Sequence, residues 1–462
     1  MLFSSLTFLI IFLPVLLVIY YLIKEKYRNY ILLIFSLIFY SWGEPKYILL
    51  MIISIIINYI MALLIDKFRK NSKSLLILTI IINIGLLIFF KYSNFFITTF
   101  NDLTNNNLKL LNIALPIGIS FYTFQILSYV IDVYRKKVEV QNNIFLLGTY
   151  ISFFPQLIAG PIVRYQSIEK QLKSRKHSVE KFSNGLRRFI IGLGKKVIIA
   201  NNVAIIADTI FNTNNVGNYS YLVIIIGLIS YTIQIYFDFS GYSDMAIGLG
   251  KMFGFEFDEN FNYPYMAISI TDFWSRWHIS LSTWFKDYVY IPLGGNKCSK
   301  LKWIRNFLTV WLLTGLWHGA SWNFVIWGLF YGIILLLEKM YFGKILDKLP
   351  ILIRWLFSFM IINIAWLIFR IEDLSLLKAI IFQGKEIGIR TFLADNFTII
   401  NQVPFLLLGF ILSFPIVKKA NEKLLKNNTY LIIRDIVIVG LFLLSIAFLI
   451  NNSYNPFIYF RF

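Results

Sequence analysis

The sequence predicts an all-α integral membrane protein with roughly ten or eleven transmembrane helices, accompanied by re-entrant and interfacial helices. Three observations carry this. First, hydrophobic residues make up 58% of the 462 residues and mean hydropathy is +0.69, against about 45–50% apolar usage in soluble domains. A soluble chain cannot hide that much apolar surface, whereas a bilayer solvates it. Second, apolar runs of span length follow one another along the whole chain, a span needing about 20 such residues. Third, the net charge of +20 is gathered in short Lys/Arg clusters between those runs. Clusters of this kind mark cytoplasmic loops under the positive-inside rule, and they argue against a nucleic-acid surface. A single cysteine, Cys298, leaves no intramolecular disulfide and no cysteine metal cluster.

The elements follow in order. Met1-Leu2-Phe3 lacks a basic n-region and no small-residue cleavage site follows, so residues 4–23 are read as a retained span. That run ends in Lys24, Lys26 and Arg28, which places its end inside. Residues 29–45 return outward and 46–65 come back to Lys67, Arg69, Lys70 and Lys73. Residues 75–99 exit, and 112–133 re-enter to Arg135-Lys136-Lys137. Three basic clusters thus agree on one orientation, with the N-terminus outside. The next run, 143–163, has basic flanks on both sides and contains Pro155 and Gly160-Pro161. Proline interrupts helical hydrogen bonding, and broken backbone at membrane depth is tolerated only against protein or a cavity, so this run reads as re-entrant.

Residues 181–200, with Arg187, Arg188, Lys195 and Lys196, resemble an amphipathic helix on the cytoplasmic surface. Spans at 197–211 and 220–238 follow, and 264–305 is placed at the interface by its Trp, Tyr and polar content. The run 307–338 is too long for one span and too short for two. Both of its flanks are basic, and Gly319-Ala320-Ser321 lies at its middle. It therefore predicts a helical hairpin that turns inside the membrane at Trp317-His318-Gly319. Spans at 350–371, 401–417 and 430–451 complete a chain with no internal repeat and no linker, read as one domain over 1–462.

There are three histidines. His177 lies in the basic stretch Lys173–His177 and reads as a solvated loop residue. His318 lies at the hairpin turn, and an ionisable ring inside a bilayer marks function more often than structure. A neutral imidazole there can take a proton from a hydroxyl. His278 sits in Asp272-Phe273-Trp274-Ser275-Arg276-Trp277-His278-Ile279-Ser280-Leu281-Ser282, where helical spacing puts Ser275, His278 and Ser282 on one face. A third polar group, Asp238-Phe239-Ser240-Gly241-Tyr242-Ser243-Asp244, follows a span and suits a cation or a tunnel mouth, although its spacing matches no metal-ligand pattern. Gly192-Leu193-Gly194-Lys195-Lys196 lacks the full phosphate-loop pattern and a preceding strand.

Several of these segments together resemble the membrane-bound O-acyltransferase family. They are Arg276–Phe285, Thr314–Trp322, Leu115–Gln125, Phe154–Ile162, Asp238–Asp244 and Tyr290–Asn296, which run in order over most of the chain with the two histidines 40 residues apart. Tyr290-Ile291-Pro292-Leu293-Gly294-Gly295-Asn296 and the Trp-His-Gly-Ala turn are most similar to the alginate O-acetyltransferase branch. The resemblance implies a ring of spans around a thinner centre, with a central tunnel reaching His318. It implies His318 and His278 as the catalytic pair. Trp317, Arg276, Asp238, Ser240, Asp244, Gln156, Gln125 and Asn323 are then candidates for lining the tunnel or binding substrate.

The implied reaction moves an acetyl group from a cytoplasmic donor, acetyl-CoA or another acetyl carrier, for O-acetylation of an exported polysaccharide. No bound cofactor and no metal are expected. The lipid of the plasma membrane surrounds the chain, in a bacterium the inner membrane. The chain carries no nucleophile-elbow motif and no soluble esterase-like segment, so an extracytoplasmic partner protein is expected to complete transfer to the polymer. Two other readings stay open from sequence: D-alanyl transfer to teichoic acid, and a polytopic transporter.

Overall fold

The computed structural model describes residues 1–382, 387–451, 455 and 458. The described residues are mostly helical, and the one β-feature among them is an isolated bridge between Tyr219 and Ile387. Among the described residues, seven helices are long and apolar enough to cross a membrane: Ile48–Lys67, Arg69–Thr104, Val179–Phe211, Tyr221–Met252, Trp322–Leu346, Ile351–Arg370 and Asn428–Asn451. An eighth arises if the pair Ile389–Asp395 and Phe397–Leu412, bent by 94°, counts as one span.

The ten or eleven crossings expected from sequence are reached only when shorter helices are counted with the seven. Arg28–Gly43 and Ile119–Tyr134 have 16 residues each. At about 1.5 Å per residue such helices reach about 24 Å, short of a hydrocarbon core about 30 Å thick. The second is short for a local reason. Gly118 sits at φ +74° and a side chain there would meet the Leu157 carbonyl, so the apolar run from 112 becomes helical only at Ile119.

Contacts divide the chain into two compact units, Met1–Phe189 with Met245–Asp258, and Ile190–Asp244 with Glu259–Phe462. In the first unit the run 143–163 is broken as expected. Ile144–Ser152 is capped by the Asn143 side chain, which accepts from the Phe145 and Leu146 amides. The helix stops at Phe153, and a four-residue turn, Phe154–Leu157, begins with Pro155 in its first turn, where proline's missing N–H is not needed. The Phe154 amide donates to Ser36 Oγ at 3.2 Å.

In the second unit the run 307–338 forms the predicted hairpin, Lys300–His318 and Trp322–Leu337. Small residues let the arms touch. A Cβ on Gly315 would collide with the Phe324 carbonyl and one on Gly328 with the Trp311 carbonyl. Close backbone approach of this kind is how helices associate where lipid removes the hydrophobic drive.

Residues 181–211 depart from expectation. Instead of a surface helix followed by a short span, the chain runs as one helical stretch, Val179–Phe211, most of it buried, with a π-helical turn at Lys195–Ala200. Its lysines face protein partners rather than water, as described below.

Replacing Gly328 by Val is expected to force the hairpin arms apart, at about 1–3 kcal/mol or more for overpacking a tight contact. A lowered thermal unfolding midpoint of the detergent-solubilised protein checks this, and an unchanged midpoint contradicts the packing described.

Candidate active site

The candidate site lies in the second unit. His318 is the last residue of the first hairpin arm, and the next residue, Gly319, is extended at φ −166°. A side chain at 319 would collide with the Phe324 ring, so the turn requires glycine. His318 is buried and its ring meets those of Trp327, Phe369 and Trp317 edge-on, at 5.0, 5.3 and 5.1 Å between centroids. Asn323 fastens this wall. It is fully buried and its amide donates to the Phe369 and Ile368 carbonyls at 3.1 and 3.4 Å, joining the second arm to the end of Ile351–Arg370.

His278 does not lie on a helix face with Ser275 and Ser282. The helix Ile270–Arg276 ends before it and Ile279–Phe285 begins after it. Between them His278 adopts φ +44°, ψ +54°, a left-handed conformation that costs a non-glycine residue about 1–2 kcal/mol. Asn260, which the sequence reading missed, holds this turn. Its Oδ1 accepts from the Ser280 amide at 3.1 Å and the Ser280 hydroxyl at 2.9 Å, and its carbonyl accepts from the Ile279 amide at 3.0 Å. The same Oδ1 lies 3.3 Å from His278 Nδ1. Because the Ser280 amide can only donate, that atom of Asn260 is its oxygen. The proton of a neutral His278 therefore belongs on Nδ1, leaving the Nε2 lone pair. Nothing in the sequence near Asn260 signals this, since the contact spans 18 residues.

His278 is fully buried, and burial lowers its imidazole from 6.5 to about 3. Its ring packs on Phe239 at 4.7 Å and on Trp317 at 5.8 Å. Trp317 thus touches both histidine rings. Trp274, Trp277, Trp327, Tyr331 and Trp366 extend the aromatic surroundings, a low-dielectric wall in which dipoles act strongly.

The remaining candidates divide. Asp238 and Asp244 are not a vacant carboxylate pair. Asp238 meets Lys196 at 2.6 Å, each side chain 3% exposed, and accepts from the Ile458 amide at 2.9 Å. Asp244 meets Lys195 at 2.7 Å. Of the two lysines assigned to the cytoplasmic surface, Lys196 is therefore an internal counter-ion and Lys195 a half-buried one. Gly241 permits this, because a side chain there would collide with the Gly192 carbonyl and the Lys196 amide. Ser240 is buried between the two acids in sequence, and its hydroxyl has no hydrogen-bond partner among the described residues. Arg276 bonds Asp272 at 2.7 Å and the Asn262 carbonyl at 3.4 Å, so its charge is used within its own turn. Gln125 and Gln156 belong to the first unit. Both are fully buried. Gln156 donates to the Tyr150 carbonyl, while neither side-chain atom of Gln125 has a hydrogen-bond partner among the described residues.

A hairpin turn buries one histidine, and a strained turn brings a second against the same tryptophan. The chain belongs to the membrane-bound O-acyltransferase family, whose sequence model matches residues 86–371, and it is an O-acyltransferase of the multi-pass membrane type. Among similar proteins, the probable alginate O-acetylase AlgI of Pseudomonas aeruginosa is 44% identical over 81% of this chain and 73% of its own length. The peptidoglycan O-acetyltransferase of Helicobacter pylori is 39% identical over 81% of this chain and 78% of its own. The teichoic acid D-alanyltransferase of Bacillus subtilis is 31% identical over 48% of this chain and 59% of its own.

Two outcomes follow from this geometry. Lys196→Met leaves a buried carboxylate unpaired and is expected to cost about 3–5 kcal/mol, with the double variant Lys196→Met/Asp238→Leu recovering part of the loss; thermal unfolding of the single and double variants reads this, and additive losses contradict the pairing. For His278 the unfolded chain takes up a proton near pH 6.5, but the folded chain does so only near 3. Its contribution to stability is whole above pH 6.5 and falls as pH drops, by up to about 1.4 kcal/mol per unit. His278→Gln is expected to flatten the fall in stability between pH 6.5 and 4, measured as unfolding midpoint against pH.

Proposed function

We propose that this protein transfers an acetyl group from a cytoplasmic donor toward the hydroxyls of an exported polysaccharide. The observation that carries the reading is the meeting of His278 and His318 at Trp317, in a chain whose more extensively matching relatives bear the names of alginate and peptidoglycan O-acetylating enzymes.

The chemistry runs as follows. The donor is acetyl-CoA or another acetyl carrier, and its thioester carbonyl is attacked by an acceptor hydroxyl. His318 takes the hydroxyl proton as the C–O bond forms. It stands at the C-terminal end of a helix, where the carbonyl ends favour positive charge, so the imidazolium formed is stabilised. The C–S bond then breaks and the thiolate takes that proton, restoring neutral His318. His278, neutral throughout the physiological range, is too weak a base to share the first step. We assign it to positioning the reacting groups beside Trp317. Asn323 and Asn260 hold the two histidine walls. The acceptor hydroxyl belongs either to the sugar or to a serine of an extracytoplasmic partner that completes the transfer.

D-alanyl transfer to teichoic acid is the second reading, supported by a relative of that name that matches about half of this chain. Family membership leaves the transporter reading without support.

Mass spectrometry of extracellular polymers from cells with and without the gene, before and after mild alkali, separates the two. Loss of acetyl ester in the deletion is expected and names the acceptor. Loss of D-alanine instead moves the protein to the second reading, and unchanged esters contradict both.

A further inference from the structure

His177 is not the solvated loop residue that its basic neighbours suggest. Its Nε2 lies 2.8 Å from the Tyr20 hydroxyl and its Nδ1 lies 3.1 Å from Arg28 Nη1. The Tyr20 hydroxyl donates to the Phe253 carbonyl at 2.8 Å, so it accepts from His177 Nε2–H. A guanidinium can only donate, so Nδ1 is unprotonated and the ring is neutral. Burial, Arg28 and Arg175 all lower its imidazole in agreement. Gly254, at φ +86°, makes room, because a Cβ there would stand 3.0 Å from His177 Nε2.

The charge around this ring is unbalanced. Arg28 pairs with Glu25, whose side chain is 80% exposed, at 3.2 Å, and its Nε has no acceptor among the described residues. Arg175 donates to the Tyr20 hydroxyl, the Asn29 amide oxygen and the Phe253 and Gln171 carbonyls, all neutral. Lys181 and Lys251 share Glu256 at 3.0 and 3.8 Å. Nearby, Lys176 and Glu180 are both exposed and offset one another. Ser178 caps the 16-residue helix Val179–Gly194, accepting from the Lys181 amide at 3.1 Å, so a positive helix end adds to the excess of cations.

Beside this cluster opens a groove of about 450 Å³ lined by Tyr21, His177, Ser178, Val179 and Phe182. Its wall is apolar. Tyr21 and Phe182 meet edge-on at 5.8 Å, and Val179 is 87% exposed. The groove lies where the first apolar run ends in Lys24 and Lys26, the cytoplasmic membrane surface by the charge rule.

We propose that this groove is a binding site for one anionic phospholipid, its acyl chain along Tyr21, Val179 and Phe182 and its phosphate against Arg28, Ser178 and the start of the Val179–Gly194 helix. An apolar trough that ends in an excess of cations at a membrane surface matches a molecule with a chain and one negative head. A zwitterionic lipid lacks the net charge, and a free phosphate lacks the chain.

The test uses the full chain, purified in detergent and titrated with dioleoyl-phosphatidylglycerol, dioleoyl-phosphatidylcholine or inorganic phosphate while the thermal unfolding midpoint is read. Phosphatidylglycerol is expected to raise the midpoint saturably, and the other two are not. Arg28→Gln and, separately, Val179→Glu are each expected to weaken half-saturation about tenfold or more, the range of a lost charge-assisted contact. Val179→Glu changes an exposed residue outside the buried network, so it decides the matter if Arg28→Gln fails to fold. An equal rise with phosphatidylcholine, a rise with phosphate alone, or unchanged half-saturation in Val179→Glu overturns the proposal.

Discussion

The contact of Gly315 with the Phe324 and Gly328 backbone is the constraint on which the site depends. With side chains at these positions the hairpin arms would part, and the turn that carries His318 would lose its packing against Trp327 and Phe369. Backbone contact at this range holds the arms together, and the Asn323 amide ties the second arm to the Phe369 and Ile368 carbonyls. The role proposed for His318 requires a base held within hydrogen-bond reach of its proton, and a turn fixed by packed aromatic rings suits that proposal.

The second histidine is held by a different device. A left-handed residue is unfavourable by itself, and Asn260 over-determines it with three hydrogen bonds to the following turn. Local strain sustained by surrounding contacts is common at functional sites. The buried pair Lys196–Asp238 adds a third device. Neither charge is tolerable alone in so dry a place, but together they fix the π-helical turn at 195–200 against the long Tyr221–Met252 helix. Asp238 also receives the Ile458 amide, so the same pair anchors a residue near the end of the chain.

Much of this was legible in the sequence where the signal is local. Length, basic flanks and Gly319-Ala320-Ser321 predicted the hairpin, and Pro155 with Gly160 predicted the broken segment at 143–163. What the sequence did not show depends on partners far along the chain. Lys195 and Lys196 read as surface charges because their carboxylates lie on another helix. Ser275, His278 and Ser282 have helical spacing, yet the helix is interrupted between them, where Asn260 accepts from the Ile279 and Ser280 amides. His177 read as solvated because Tyr20 and Arg28, which pin it, lie about 150 residues earlier. Spacing predicts period, but it does not predict a tertiary contact that interrupts the period.

The central claim is that His318 moves the proton in acyl transfer, with the hairpin serving to hold it. The most direct measurement is donor consumption by purified protein in sealed vesicles, with acetyl-CoA on the cytoplasmic side, compared between wild type and His318→Ala. The account predicts that the variant inserts and unfolds near the wild-type midpoint while its rate falls by about 10²–10⁴-fold. A rate within a few-fold of wild type in a properly folded variant would contradict it.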